Sequence, residues 1–217
     1  MKARVARHHV REEIQRRILS GESKPGERLS QQSLAKELGV AQGAVRESLL
    51  ELQWLGLVES VDHLGVFVGD LDVSRICEAY EIREVLEGLA ARLACNHAGR
   101  ADIAELRRMA DKIFQLAHEE KAEEMGSLDR KMHFHIIELA RNPILLRLAE
   151  TYRVLGMTVR ASREPQIIHE EHLQIIEAIE RNSAEEAERL ARQHVAGARR
   201  MIENQAREGK FVPKWVG

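Results

Sequence analysis

The sequence predicts a mainly α-helical protein with two domains. Residues 1–70 should form three helices and a hairpin, and residues 71–217 an all-α bundle of about six helices. Two observations support this: apolar residues recur with helical spacing along most of the chain, and only residues 57–68 combine β-prone runs with a glycine-containing turn. The composition agrees, because 4% aromatic and 31% charged residues are typical of helix-rich globular proteins.

The first predicted helix spans residues 5–19. Val10, Ile14 and Ile18 recur at every fourth position, so they share one face, and Gly21 follows as a stop. Residues 1–46 contain ten basic and five acidic side chains, a net of +5, although the whole chain has a net charge of −2. Six of these basic residues lie on or beside the first helix: Lys2, Arg4, Arg7, Arg11, Arg16 and Arg17. They could contact DNA phosphates; a solvated helix face is the alternative.

The next segment predicts two short helices joined by a tight turn. Leu34 and Leu38 share a face of the first helix, and Gly39 can take the left-handed conformation that ends it. The second helix has an apolar stripe with i, i+4, i+7 spacing: Val45, Leu49 and Leu52. This arrangement is typical of a DNA-binding helix-turn-helix. An ordinary helical hairpin is the alternative.

A hairpin is predicted directly after the second helix of this motif. Its β-prone runs, residues 57–61 and 66–68, flank a turn that contains His63 and Gly65. A hairpin at this place is the wing of a winged helix. We therefore expect residues 1–70 to be a winged helix-turn-helix domain that binds double-stranded DNA.

Every segment after residue 70 has helical periodicity. We predict six helices, over residues 72–98, 100–119, 121–140, 143–161, 166–181 and 184–207. Pro165 can occupy the first turn of its helix, and Ser183 with Glu186 has the spacing of a capping box. Gly209 should end the last helix.

The cellular compartment is predicted from the absence of a long apolar run and of a signal-peptide pattern. No apolar run approaches the length of about 20 residues that a membrane-spanning helix needs, and the start of the chain lacks the apolar core of a signal peptide. Cys77 and Cys95 lie on one predicted helix, separated by roughly 27 Å of helical rise, so they cannot form a disulfide within it. We expect a cytoplasmic protein that does not contact a membrane.

The second domain carries a candidate metal site. Asp129 and His133 lie four positions apart and project from one helix face, and His172 and His194 on later helices could converge with them in the bundle core. Three imidazoles and one carboxylate suit zinc first, with nickel, manganese or iron as alternatives. From the residues alone, these histidines could instead lie on the surface and bind no metal. The residues also leave open His169, one turn before His172, as the ligand instead.

Taken together, these patterns resemble the GntR family of bacterial transcription regulators, and within it the FadR-type subfamily. The N-terminal motifs that carry the resemblance are Pro25-Gly26-Glu27-Arg28-Leu29, Leu34-Ala35, Leu38-Gly39-Val40, Val45-Arg46-Glu47-Ser48-Leu49, Gly56-Leu57-Val58 and Gly65-Val66-Phe67-Val68. The C-terminal motifs are Ile82-Arg83, Leu86-Glu87, Ala90-Ala91, Asn142-Pro143, Glu171-His172, Ile175 and Ala178-Ile179, with Asp129, His133, Ala187 and His194.

The resemblance implies several functional properties. It places metal ligands at Asp129, His133, His172 and His194. It implies a homodimer that binds a roughly palindromic operator, and a small organic acid (carboxylate) effector that binds near the metal and changes DNA affinity. By linkage, an effector that prefers the weakly binding conformation must itself bind less well to the DNA-bound dimer.

The sequence departs from this family in its recognition helix. Members commonly have Ser-Arg-Thr-Pro where this chain has Ala41-Gln42-Gly43-Ala44. Gln42 thus replaces an arginine that often binds guanine, and glutamine can read adenine instead; Ala41 is a poor N-cap. The predicted DNA contacts are Gln32, Gln42, Gly43, Arg46, His63 and Gly65.

Three arginines are candidates for binding the effector carboxylate. Arg83 is the first, because it lies on the opening helix of the domain and guanidinium pairs well with carboxylate. An internal salt bridge from Arg83 to Glu87 is the alternative. Arg153 and Arg160 lie on one helical stripe and are further candidates.

We therefore expect a transcription regulator and not an enzyme. The alternative is a metal-dependent enzyme whose winged helix serves as a protein-interaction module. That enzyme would need an acid or base beside the metal; His135, His169 and Glu170 are available, but no catalytic motif orders them. In a third interpretation, the metal is itself the signal.

Overall fold

The computed structural model describes residues 2–70, 73–156 and 163–211. They fall into two compact units, one that includes residues 2–70 and one that includes residues 73–152 and 163–211. The protein is mainly helical, as predicted, and the described strands all lie in the first unit. Among the described helices, none combines the length and the apolar character needed to cross a membrane.

The first unit has the predicted three helices and wing. Its elements, in chain order, are α1 (Lys2–Leu19), β1 (Arg28–Leu29), α2 (Gln31–Leu38), α3 (Gln42–Trp54), β2 (Val58–Val61) and β3 (Gly65–Val68). The apolar stripe of α1 and that of α3 are buried in one core with Leu34 of α2. The helical spacing seen in the sequence therefore identified the faces that pack together.

The turn between α2 and α3 has the expected chemistry. Ser30 caps α2, since its hydroxyl accepts a hydrogen bond from the Ser33 N–H. Gly39 ends α2 with a φ of 63°, a left-handed conformation that favours glycine. Ala41, at the N-cap of α3, supplies no side-chain hydrogen bond to the helix. The start of α3 therefore lacks a side-chain cap of the kind that Ser30 provides for α2.

The wing belongs to a three-stranded antiparallel sheet with the order β1-β3-β2. Val58 lies opposite Val68, and Arg28 of β1 lies opposite Phe67. The sequence predicted β2 and β3 but not β1. Strand β1 has only two residues, too few to show an alternating pattern, and its conformation depends on pairing with β3.

Six described helices lie wholly or largely in the second unit. They are α4 (Val73–Ala94), α5 (Arg100–His118), α6 (Ala122–Leu139), α7 (Pro143–Gly156), α8 (Pro165–Glu180) and α9 (Ala184–Arg207). Most bounds are within one or two residues of the prediction. Helix α7 is described to Gly156, and the predicted helical residues 157–161 lie outside the described part of the chain.

Two local predictions for these helices were wrong. Helix α4 ends at Ala94 and not at residue 98, because the chain turns through Asn96 and His97 before Asp102 accepts a hydrogen bond from the Gly99 N–H. Ser183 and Glu186 form no capping box. The Ser183 side chain makes no cap hydrogen bond, and Arg189 binds the carboxylate of Glu186 at 2.6 and 2.8 Å. The Ser183 N–H instead donates to the Ala178 carbonyl at 2.9 Å, so it does not make the hydrogen bond to Glu186 that a capping box requires.

The bundle is layered around α8. Helix α4 packs along α9, α5 packs on both α6 and α8, and α8 also contacts α9 and α4. The core includes Ile175, Ile176 and Ile179 of α8 together with Met132 of α6. Helices α4, α6, α8 and α9 thus surround one interior region, and polar side chains that point into it are removed from water.

Candidate metal centre and DNA-binding surface

The structure brings the four predicted metal ligands together inside the second unit. His133 of α6, His172 of α8 and His194 of α9 are all buried, and their ligand nitrogens lie within 4.8 Å of one another. Asp129, one turn before His133, places its Oδ1 3.4 Å from His172 Nε2 and 3.8 Å from His133 Nε2. Each histidine comes from a different helix, so the cluster depends on the packing of the bundle.

His172 is the most informative member of this cluster. Its side chain is 0% exposed, and within the described part of the chain neither ring nitrogen has a hydrogen-bond partner. Burial, together with His194 and His133 nearby, lowers the pKa of His172 well below its ordinary value, which favours the neutral imidazole. A buried polar group without a partner is rare and unfavourable, and a bound cation would supply the partner.

The separations of the ligand atoms suit one shared ion. Two ligands that each lie about 2.1 Å from a tetrahedral ion are about 3.4 Å apart. The distances from Asp129 Oδ1 to the His172 and His133 nitrogens, 3.4 and 3.8 Å, are close to this value. The residues present therefore fit a divalent metal ion.

Two glutamates support the ring orientation of the histidines. Glu87 Oε2 lies 2.9 Å from His133 Nδ1, and Glu171 Oε2 lies 2.7 Å from His194 Nδ1. The His194 contact is a hydrogen bond, whereas the His133 contact is a close ion pair in which Glu87 Oε2 has no hydrogen-bond partner among the described residues. When Nδ1–H of His194 donates to Glu171, the lone pair of Nε2 is left to bind a metal, and the carboxylate makes that nitrogen more basic. This is the usual arrangement around metal-binding histidines.

Burial and neighbouring charged groups shift the pKa values of these residues in different directions. Burial opposes the charged form of His133, but Glu87 and then Asp129 outweigh it and raise the His133 pKa. Burial lowers the pKa of His194. For Glu171, burial alone would raise the pKa, whereas hydrogen bonds from His194 and Arg163 lower it to about 2.

Each of these glutamates is in turn bound by an arginine. Arg83 Nε and Nη2 both lie 2.8 Å from Glu87 Oε1, and the Arg83 guanidinium lies over the Tyr80 ring at 4.6 Å. The internal salt bridge, left open by the sequence, is therefore present. Arg163 donates from Nη1 and Nη2 to the two carboxylate oxygens of Glu171.

Sequence reasoning missed the support from Glu87, Glu171 and Arg163. Glu171 directly precedes His172, yet the imidazole that it contacts is that of His194, 23 positions later on another helix. Neither spacing nor composition marks such a pair. The position of Glu171, directly beside a predicted ligand histidine, was the one weak signal in the sequence that it supports the site.

The other candidate residues of this domain are placed elsewhere or are not described. His169 stacks on Phe114, and its Nε2 lies 3.5 Å from Asp111 Oδ1, so His172 and not His169 joins the cluster. His135 Nδ1 lies 3.5 Å from Glu138 Oε2, away from the cluster. The side chain of Arg153 and all of Arg160 lie outside the described residues.

The predicted DNA contacts lie on the surface of the first unit. Gln42, Gly43 and Arg46 are exposed on the first turns of α3, whereas Val45, Leu49 and Leu52 on the opposite face are at most 2% exposed. Gln32 of α2 is also exposed. In the wing, His63 is exposed in the turn and Gly65 is half-buried. The polar face of α3 is therefore exposed and does not pack against the domain core.

The basic residues of α1 are less available than the sequence suggested. Arg11 lies 3.5 Å from Glu51 of α3. Arg16 binds Glu13 and Glu22, and Arg17 binds Glu13 and Glu37. Three of the six predicted cations are therefore matched by carboxylates within the unit; the side chains of Lys2, Arg4 and Arg7 lie outside the described part.

Comparison with known proteins shows the family. Residues 6–68 match the gntR family of bacterial regulatory proteins, and residues 78–197 match the FCD domain. The Nta operon transcriptional regulator of Aminobacter aminovorans is 31% identical over 181 residues, 79% of this chain and 82% of that protein. The probable D-xylose utilization operon transcriptional repressor of Paenarthrobacter nicotinovorans is 31% identical over 191 residues, 86% and 84% of the two chains.

A solved structure shares the fold. Escherichia coli McbR/YncC superposes with a TM-score of 0.72 at 21% identity, covering 93% of this chain and 98% of that one. The matched families and relatives are transcriptional regulators, so the alternative of a metal-dependent enzyme is wrong. The chain belongs to the GntR family of bacterial transcriptional regulators, in the subfamily that carries a C-terminal FCD domain.

Proposed function

We propose that this regulator binds an operator through residues 1–70, and that a small organic acid bound near a divalent metal in residues 71–217 controls its DNA affinity. Residues 71–217 would also carry the dimer contacts. The observation that supports the metal most directly is His172, a fully buried imidazole with two unpartnered nitrogens in the described chain, within reach of three further ligands.

Asp129, His133, His172 and His194 would hold the metal, with zinc as the first choice and nickel, manganese or iron as alternatives. Glu87 and Glu171 would orient His133 and His194. When bound, the ion would supply positive charge that attracts a carboxylate. The protein would supply the rest: it positions the imidazoles and keeps bulk water from them.

For the DNA side, we assign base and phosphate contacts to the exposed residues of α2, α3 and the wing: Gln32, Gln42, Gly43, Arg46, His63 and Gly65. Arg46 is the strongest of these, because it is exposed on α3 while its neighbour Val45 is fully buried. Such a position allows the guanidinium to reach a groove without disturbing the core.

We propose a homodimer, because regulators of this type usually bind their operators as dimers. Helix α4 supports this: Ile82 and Val85, three positions apart, are 42% and 47% exposed, and a second copy would cover these apolar side chains. A regulator that binds an operator must share a compartment with DNA, and we propose the cytoplasm.

The effector would bind through arginines. Arg83 already pairs with Glu87, so an incoming carboxylate would have to share its guanidinium. Arg153 and Arg160 remain candidates alongside it. Calorimetric titration of Arg83→Ala with candidate organic acids distinguishes these roles, because full affinity in the variant would remove Arg83 from the site.

Selection of bound duplexes from a random pool tests this proposal. It would be run with zinc-loaded protein, with chelated protein, and with or without organic acids. We expect one enriched, roughly palindromic site whose recovery changes when an effective acid is added. Enrichment of no site would overturn the DNA proposal. Chelation that changes recovery when no acid is present would indicate that the metal is itself the signal.

A further inference from the structure

A cavity separate from the metal cluster lies between α5, α6 and α8. It has a volume of about 280 Å³, and most of its wall is apolar, with Ile113 and Phe114 from α5, Met125 from α6 and Ile168 from α8. None of the four proposed metal ligands lines it. Its volume lies just below the range of about 300–1,000 Å³ that is typical of ligand pockets, which suits a small ligand.

One cationic side chain in the wall connects this cavity to the metal cluster. Arg163 lines the cavity, and its guanidinium binds Glu171, whose Oε2 contacts His194 Nδ1 at 2.7 Å. Arg163 also donates to the backbone carbonyl of His194 at 3.4 Å. The chain of contacts from cavity to ligand is therefore Arg163, Glu171, His194.

Gly197 permits this arrangement. A Cβ at Gly197 would lie 3.1 Å from Arg163 Cζ, so a side chain at position 197 would require the guanidinium to shift by a few tenths of an ångström. Arg163 is positioned by its hydrogen bonds to Glu171 and to the His194 carbonyl, and so links the two sites.

We propose that this cavity is a second ligand site, for a small aromatic monocarboxylate, and that Arg163 couples its occupancy to metal binding. The coupling rests on the proposed metal site; the cavity does not. A cavity of 150 Å³ holds benzene, so this larger one has room for a phenyl ring and a short acid side chain. The ring would lie against the apolar wall.

The acid would lie beside Arg163. A guanidinium has five N–H groups, and among the described residues its hydrogen bonds leave only from Nη1 and Nη2. Its remaining N–H groups can serve a ligand carboxylate. Glu120 also lines the cavity but is exposed, where solvent screens its charge.

Occupancy should tighten metal binding. A carboxylate that shares Arg163 weakens its hold on Glu171, and Glu171 then accepts more strongly from His194 Nδ1–H. The Nε2 of His194 becomes a better metal ligand. Reciprocity requires that the acid bind more tightly to metal-loaded protein, by about fivefold if the coupling is typical.

Calorimetry with 3-phenylpropionate tests the cavity, using full-length protein both metal-free and loaded. Ala117→Trp would fill the cavity and should weaken binding at least about tenfold. Ala104→Trp, the same change at an exposed position on the same helix, should leave binding unchanged. Ala122→Phe, at the start of α6, serves as a second blocking variant if Ala117→Trp fails to fold. The neutral 3-phenylpropanamide should bind more weakly than the acid.

Absorption of Co²⁺-loaded protein tests the coupling. The acid should shift the cobalt bands in the parent and in Ala104→Trp, and should leave them unchanged in Arg163→Gln at saturating acid. Two results would overturn the cavity site: no binding to the parent up to about 10 mM acid, or binding by both blocking variants that is as tight as binding by the parent. Unshifted cobalt bands in the saturated parent would overturn the coupling. A chain that binds no metal would refute the metal proposal alone, since the metal-free titration still reports on the cavity.

Discussion

Replacing the buried imidazole of His172 should raise the stability of the metal-free protein and lower that of the metal-loaded protein. Without metal, its two ring nitrogens are buried and unpartnered in the described chain. Replacing His172 with leucine removes them and keeps most of the volume. An unsatisfied buried polar group costs about 1–3 kcal/mol. The chelated His172→Leu protein should therefore be more stable than the chelated parent by about that amount.

When metal is bound, the parent should be more stable than His172→Leu. Ligation that is confined to the folded state stabilises it by about 4 kcal/mol when free metal is about 1,000-fold above Kd. His172→Leu loses a ligand and most of that stabilisation. For a domain of this size, the chelated variant should melt about 2–12 °C above the chelated parent. In excess zinc it should melt below the zinc-loaded parent.

Circular dichroism melts in zinc and in chelator measure both differences. His169→Leu, on the same helix but outside the cluster, is the matched control and should keep the full response to zinc. Equal zinc stabilisation of parent and His172→Leu would refute the ligand role. A chelated His172→Leu protein that is less stable than the chelated parent would refute the argument from unsatisfied nitrogens.

Three further predictions concern other parts of the chain. Arg46→Ala should weaken operator binding by about 1–3 kcal/mol in an anisotropy titration, and unchanged affinity would remove Arg46 from the interface. Gly39→Val should destabilise the first unit by about 1–2 kcal/mol, because its φ of 63° is left-handed. Gly43→Ala, in a helix with nothing within 4 Å of an added Cβ, should stabilise it by about 0.5–1 kcal/mol; urea unfolding compares the two, and equal effects would contradict the backbone argument. Glu87→Gln should weaken zinc binding about 10- to 100-fold in a chelator competition, and unchanged affinity would show that the Glu87 carboxylate does not support His133.

The sequence by itself determined the helices and their buried faces. Val10, Ile14 and Ile18 recur at helical spacing, and that spacing needs no knowledge of partners, because an α-helix places every fourth residue on one side. Gly39 was predictable for a similarly local reason, since the left-handed conformation that ends a helix favours glycine. These features depend on a few neighbouring residues.

The errors arose where the local sequence pattern does not show which groups will bond to each other. Strand β1 is too short to show a pattern, and it forms only because β3 supplies hydrogen-bond partners. The predicted capping box at Ser183 and Glu186 does not form, because the Ser183 N–H donates to the Ala178 carbonyl at the end of the preceding helix. Spacing alone does not show which acceptor an N–H at a helix boundary will take.

The tertiary structure decided which polar groups meet. Asp129 and His133 could be paired from sequence because one helical turn separates them, whereas the choice of His172 over His169 required the tertiary packing that places His172 beside His133 of α6 and His194 of α9. The contacts from Glu171 to His194 and from Arg163 to Glu171 join separate segments of the chain, and no local rule specifies them. Local periodicity sets which face of each helix is buried; the way the helices pack sets which side chains share the interior.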